Sequence, residues 1–130
     1  MTAESHFRTL RVIIALLILS AAGRAAALPR IVKAVPEKSV VGRWEKFELR
    51  VSLSADFFNP YDPEQVDLKA EFTSPSGRKW LINGFFNPVQ WDLHWMVRFA
   101  PDEAGPWRFD LRVKDSGGRS PVYSGTFEVT

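Results

Sequence analysis

Residues 91–114 read WDLHWMVRFAPDEAGPWRFDLRVK, and their alternation decides the fold class. Trp91, Leu93, Trp95, Val97 and Phe99 share one parity. Beyond a proline-bounded break, Trp107, Phe109, Leu111 and Val113 alternate with Arg108, Asp110, Arg112 and Lys114. Successive strand side chains point to opposite sides, so this pattern predicts two strands, each with one buried and one wet face.

The same period extends outward along the chain. Phe47, Leu49, Val51 and Leu53 alternate with Lys46, Glu48, Arg50 and Ser52, which places the second set on the wet face. Leu68, Ala70 and Phe72 alternate with Lys69, Glu71 and Thr73 before the turn residues Ser74, Pro75, Ser76 and Gly77. A strand is expected to restart near Trp80, a first one to cover Ile31 to Val35, and a last one Tyr123 to Val129, after a loop through Ser116, Gly117 and Gly118. No segment repeats apolar residues at helical spacing. About seven strands separated by turn signals predict an all-β, immunoglobulin-like Greek-key β-sandwich. A closed barrel is the alternative. The link Pro101–Trp107 favours the sandwich, since crossovers between sheets carry an acidic residue, a glycine and an aromatic whose polar tip bonds back to the loop. Asp102, Gly105 and Trp107 fill those places as a structural corner, with an indole N–H standing in for a tyrosine hydroxyl.

Ahead of these strands, Arg8 and Arg11 precede an apolar run from Val12 to Leu19, and Ala25, Ala26 and Ala27 follow. This is the order of a secretory signal, so residues 1–27 are expected to be a signal peptide cleaved after Ala27, leaving residues 28–130 as one domain. The run is shorter than the roughly 20 apolar residues that cross a bilayer, so contact with a membrane is expected only if the segment stays uncleaved. The implied location is exported, either periplasmic or extracellular. No cysteine is present, so no disulfide staples the domain and its apolar core must carry stability.

Subtracting Arg8, Arg11, Arg24 and Glu4 from totals of 17 Lys plus Arg and 15 Asp plus Glu leaves 14 of each, a neutral mature domain. Nucleic acid, which selects clustered Lys and Arg, is not an expected partner. One histidine, His94, follows the leader, and no serine sits in a nucleophile-elbow pattern. His94 has the parity of a surface strand histidine. Asp56, Asp62, Glu64 and Asp67 are the acidic set that calcium would use, but their irregular spacing and Pro60 and Pro63 read as a solvated turn. Asp102 and Glu103 are adjacent on a corner and are poorly placed to flank one bond as a glycosidase pair does. No cofactor, no metal and no catalytic residue is expected.

The pieces Trp44-Glu45-Lys46-Phe47-Glu48, Asn59-Pro60, Phe72 to Gly77, Gly84-Phe85-Phe86, and Trp95 through Trp107 with Arg98, Phe99, Pro101, Asp102, Glu103 and Gly105 occur in a telling order. From Trp44 to about Trp107 the chain resembles the domain of unknown function that lies N-terminal to the TIM barrel in apiosidase-like and related bacterial glycoside hydrolases. The resemblance implies an immunoglobulin-like fold and a place beside polysaccharide-degrading machinery. It implies no reaction, because the catalytic carboxylates of such proteins lie in the barrel. Two departures stand out: Asn87 to His94 is longer and more aromatic than a tight hairpin, and the sequence stops at Thr130, as a stand-alone version or a fragment would.

Binding falls to exposed aromatics. Trp91, Trp95 and Trp107 have the parity of core residues, whereas Trp44 shares that of Lys46, Glu48 and Arg50. Phe57, Phe58 and Tyr61 fall in a loop at one end of the sandwich, and Phe85 opposes Ile82 and Phe86 in parity. These five residues, Trp44, Phe57, Phe58, Tyr61 and Phe85, are the candidate contacts. Their expected partner is a glycoside hydrolase catalytic domain, in cis or in trans. The alternatives are a polysaccharide, as for an autonomous carbohydrate-binding module, or a protein partner, as for a surface adhesion domain. A monomer is expected.

Overall fold

A computed structural model describes residues 27–89 and 94–130. Residues 1–26 of the expected signal peptide 1–27, and the core positions assigned to Trp91 and Leu93, lie outside the described residues. Ten strands follow in order: β1 (Arg30–Pro36), β2 (Val40–Val41), β3 (Phe47–Ser54), β4 (Asp67–Thr73), β5 (Lys79–Asn83), β6 (Phe85–Phe86), β7 (Trp95–Phe99), β8 (Gly105–Asp115), β9 (Gly118–Arg119) and β10 (Tyr123–Val129). Seven have five residues or more and fall where the sequence reading places strands; β2, β6 and β9 are two-residue strands that single-strand parity cannot reveal. The described residues contain no helix, hence none long and apolar enough to cross a membrane.

Two sheets form. One has the order β1-β3-β7-β6; the other runs β2-β10-β8-β4-β5, with β9 added to β8. All pairings are antiparallel except β2 with β10. The chain changes sheet five times, between β1 and β2, β2 and β3, β3 and β4, at Gly84 between β5 and β6, and between β7 and β8. Gly84 donates its N–H to the Leu68 carbonyl at 2.8 Å. A Cβ at Gly84 would lie 2.5 Å from the Leu68 side chain, so only glycine allows that crossing without displacement.

The like-parity residues meet between the sheets. Phe47, Leu49, Val51, Trp95 and Val97 of the first sheet close on Leu68, Ala70, Phe72, Trp107, Phe109, Leu111, Val113 and Phe127 of the second, all buried. Phe47 stacks on Phe127 across the gap at 3.7 Å between centroids, and Phe72 on Phe99 at 4.4 Å. Each buried large apolar side chain contributes about 1.5–3 kcal/mol, and aromatic pairs add about 0.5–1.5 kcal/mol. This core takes the place of the missing disulfides.

Three side chains depart from their parity. Glu48 lies on the outward face of β3, yet it is buried at 4% exposure. Trp44 precedes β3 in a turn and has no strand face. His94 stands just before β7, half-buried and outside any strand. Parity assumes a regular strand and a bare outer face. Trp44 and His94 fail the first condition and Glu48 the second.

Candidate functional site

The loop between β3 and β4 is held by its own polar side chains. Gln65 Oε1 accepts the N–H groups of Phe58 and Asn59, each at 3.0 Å. Asn59 Oδ1 accepts from Tyr61 N, and Asp62 Oδ1 from Glu64 N, both at 3.0 Å. The other Asp62 oxygen accepts from Gln65 Nε2 at 3.0 Å. Short polar side chains bonding backbone two residues on make Asx-type turns, which explains why Asn59 and Asp62 frame this loop. The fixed backbone turns Phe57 inward, edge-on to Trp95 at 5.9 Å, and leaves Phe58 fully exposed. Tyr61 is 68% exposed and packs edge-on against Phe86 at 5.7 Å; Phe86 rests on Trp95 at 5.6 Å. A cleft of about 360 Å³ opens here, with Tyr61, Phe85 and Phe86 on one side and Asp67, Lys69 and Asn83 on another.

Trp44 stands at the opposite end. β3 separates the two groups, and its eight residues span roughly 26 Å at the usual strand rise. Trp44 is 71% exposed and has φ 64°. A left-handed backbone at a bulky residue is a sterically costly outlier. Several bonds hold it: Trp44 N donates to Pro101 O at 2.7 Å, Glu45 N to Gly42 O at 3.1 Å, and Gly42 N to Glu45 Oε2 at 2.7 Å. The Gly42 bond, with Lys38 beside it, keeps the Glu45 carboxyl below its ordinary value. Arg43 N donates to the carbonyl of Thr130 at 3.2 Å, so this turn adjoins the end of β10.

The same end carries the corner. Trp107, 1% exposed, donates its indole N–H to Glu103 O at 2.8 Å, and Gly105 opens β8 with φ 122°. Asp102 and Glu103 face Arg78, whose Nη2 lies 3.0 Å from Asp102 Oδ2 and 3.4 Å from Glu103 Oε2. Ser76 donates to Glu103 at 2.7 Å, the main reason that carboxyl is held below its usual range. These two carboxylates tie the β4–β5 turn to the β7–β8 connection. Sitting side by side, they do not face each other across a substrate-sized gap.

Phe85, 36% exposed, borders the Tyr61 cleft and also meets a third group, on the outer face of the four-stranded sheet. The Arg98 guanidinium lies 5.0 Å over its ring, and Arg98 Nε donates to Glu48 Oε2 at 2.5 Å. Lys46 lies 3.4 Å from the same carboxylate. Burial pushes the Glu48 carboxyl up, but the Arg98 bond and the Lys46 charge outweigh it and leave it below its ordinary value. Alternation missed this group because the pairing of Glu48 with Arg98 appears only once β3 and β7 are in register.

Among the described residues, no three His, Asp or Glu side chains gather as a metal would need. Asp62 is engaged in its turn, and Asp67 lies 3.4 Å from Lys69. His94 packs 5.7 Å from Phe86, its Nδ1 buried without a partner among the described residues.

Comparison with known proteins places this geometry in context. No curated protein matches the chain. Among solved structures, a candidate glycoside hydrolase from Bacteroides vulgatus ATCC 8482 aligns with 26% identity and a TM-score of 0.54, over 72% of this chain and 16% of that one. A chitinase from Paenibacillus sp. str. FPU-7, described as cell-surface-expressed and multi-modular, aligns at 9% identity and a TM-score of 0.49, over 82% of this chain and 9% of that one. The chain thus spans a small fraction of the length of either. The model of the family "Domain of unknown function (DUF5060)" matches residues 40–114, from β2 almost to the end of β8 and over more than half of the sequence, and the chain belongs to that family.

Proposed function

We propose that the protein is an exported, non-catalytic accessory domain of a glycoside hydrolase system that docks against a catalytic barrel and positions it. The fold is read as an immunoglobulin-like Greek key. Its support is the strand order: β1, β3, β7 and β6 correspond to A, B, E and D of that fold, and β10, β8 and β4 to G, F and C. On this reading Trp107 takes the aromatic corner at the start of strand F.

The observation that carries docking is Trp44, a large exposed aromatic in a strained backbone, bonded to Pro101 O within a turn whose Arg43 also bonds Thr130 O. Exposed large apolar side chains favour contact, and local strain is kept where surrounding structure enforces it. A domain joined after β10 would emerge beside this turn. Export rests on the leader composition of residues 1–27. The relation to the Bacteroides protein supports a glycoside hydrolase as the partner.

The test is to find a glycoside hydrolase barrel encoded in frame with, or next to, this domain and to titrate it with the protein by calorimetry. Binding that Trp44→Gly weakens about tenfold or more is expected, as for a central aromatic contact. Absence of any such barrel, or binding indifferent to Trp44→Gly, contradicts docking at this end. Hydrolysis of a glycoside by the protein alone contradicts the non-catalytic reading.

A further inference from the structure

We propose that the cleft between the β3–β4 loop and the β5–β6 crossing binds a sugar ring of a polysaccharide, with Tyr61 as the stacking platform. A sugar offers an apolar C–H face and a rim of hydroxyls, so its site needs an exposed aromatic beside fixed hydrogen-bonding groups. The cleft has both. Tyr61 is 68% exposed yet braced edge-on by Phe86, and its backbone is pinned by Asn59. Pinning matters because a preordered loop loses little entropy on binding. Across the cleft, Lys69 Nζ donates to Asn83 Oδ1 at 2.5 Å and lies 3.4 Å from Asp67 Oδ1. Those contacts orient the three groups. Among the described residues they leave the Asn83 amide N–H pair and the second Asp67 oxygen without a protein partner. One donor pair and one acceptor are what adjacent hydroxyls of a pyranose engage. The volume, about 360 Å³, lies within the range of small-ligand sites, roughly 300–1,000 Å³.

A glycan is favoured over a purely apolar partner because the polar side of the cleft would be stranded against hydrocarbon. The choice of glycan also rests on the glycoside hydrolase association above, whereas the position of the site does not. The two contacts occupy opposite ends of β3, so one domain can hold a polysaccharide at one end and the barrel at the other.

The experiment is affinity gel electrophoresis of the whole protein through soluble β-glucan, xylan, polygalacturonate and starch, in parallel with Tyr61→Ala, Asn83→Ala and Trp44→Gly. Retardation by at least one polysaccharide is expected, weakened about fivefold to tenfold by Tyr61→Ala. Asn83→Ala should reduce it too, Trp44→Gly should leave it intact, and thermal midpoints verify folding. Retention that survives both cleft substitutions in folded protein overturns the site, as does no retardation by any of the four. Loss with Trp44→Gly alone would move sugar binding to the other end, overturning this assignment and the docking role of Trp44 together.

Discussion

Trp44 and Glu48 show how single residues depart from a pattern and what each departure costs. Replacing Trp44 by glycine removes the steric cost of a left-handed backbone, about 1–2 kcal/mol, against the greater freedom of glycine in the unfolded chain, about 0.5–1 kcal/mol. Trp44→Gly is therefore predicted to leave stability unchanged or raise it by up to about 1.5 kcal/mol, measured by urea unfolding. Glu48 carries the opposite prediction. Its carboxyl is held below its ordinary value in the fold, so its stabilisation is complete above the unfolded value, about 4.3, and is lost as pH falls through the lower folded one. Glu48→Gln should cost about 1–2 kcal/mol at pH 7, and the gap to wild type should narrow below about pH 4. A gap that stays constant down to pH 3 would remove the ion pair with Arg98 from the account. At this scale the sequence was least informative. The exposure of Trp44 was anticipated from strand parity, yet its cause is a turn, and the burial of Glu48 depends on a partner 50 positions away.

Elements were more legible, because alternation over five or more residues is a local property: β4, β5, β8 and β10 keep it in their burial, whereas β1, with a register shift between Ile31 and Lys33, and β7, with Met96 buried, do not. The two-residue strands were not legible, since β2, β6 and β9 are defined by a neighbour's edge and not by their own pattern. Pairing exposes further constraints. Gly125 lies opposite Phe109, and a Cβ there would sit 2.2 Å from the ring. Gly125→Ala is predicted to destabilise by about 1–3 kcal/mol through overpacking, seen as a lower thermal midpoint. Trp107→Phe keeps much of the apolar volume but leaves Glu103 O without the indole donor. It should cost about 1–3 kcal/mol and loosen the β7–β8 connection, visible as faster amide exchange around Asp102–Gly105. Of the candidate contacts, Phe58 and Tyr61 stand exposed on one loop, while Phe57 on that same loop turns to the core. Composition marks such a loop, but only the hydrogen bonds of Asn59, Asp62 and Gln65 decide which ring faces out.

At the scale of the molecule, two sheets enclose an apolar core, and Trp44 stands at one end of it and the Phe58–Tyr61 loop at the other. Topology produces that division: Trp44 comes just before β3 and the Phe58–Tyr61 loop just after it, so the strand's length holds them apart. A spacer between a catalytic barrel and its polymer needs two separate contacts of this kind. The most direct measurement is hydrogen–deuterium exchange of the protein alone and joined to a glycoside hydrolase barrel encoded with it, as the proposed docking requires. Docking at the Trp44 end predicts slower exchange around Trp44 and in the Pro101–Gly105 connection in the joined form, with the Phe58–Tyr61 loop unchanged until polysaccharide is added. Exchange around Trp44 that is the same in both forms would contradict it.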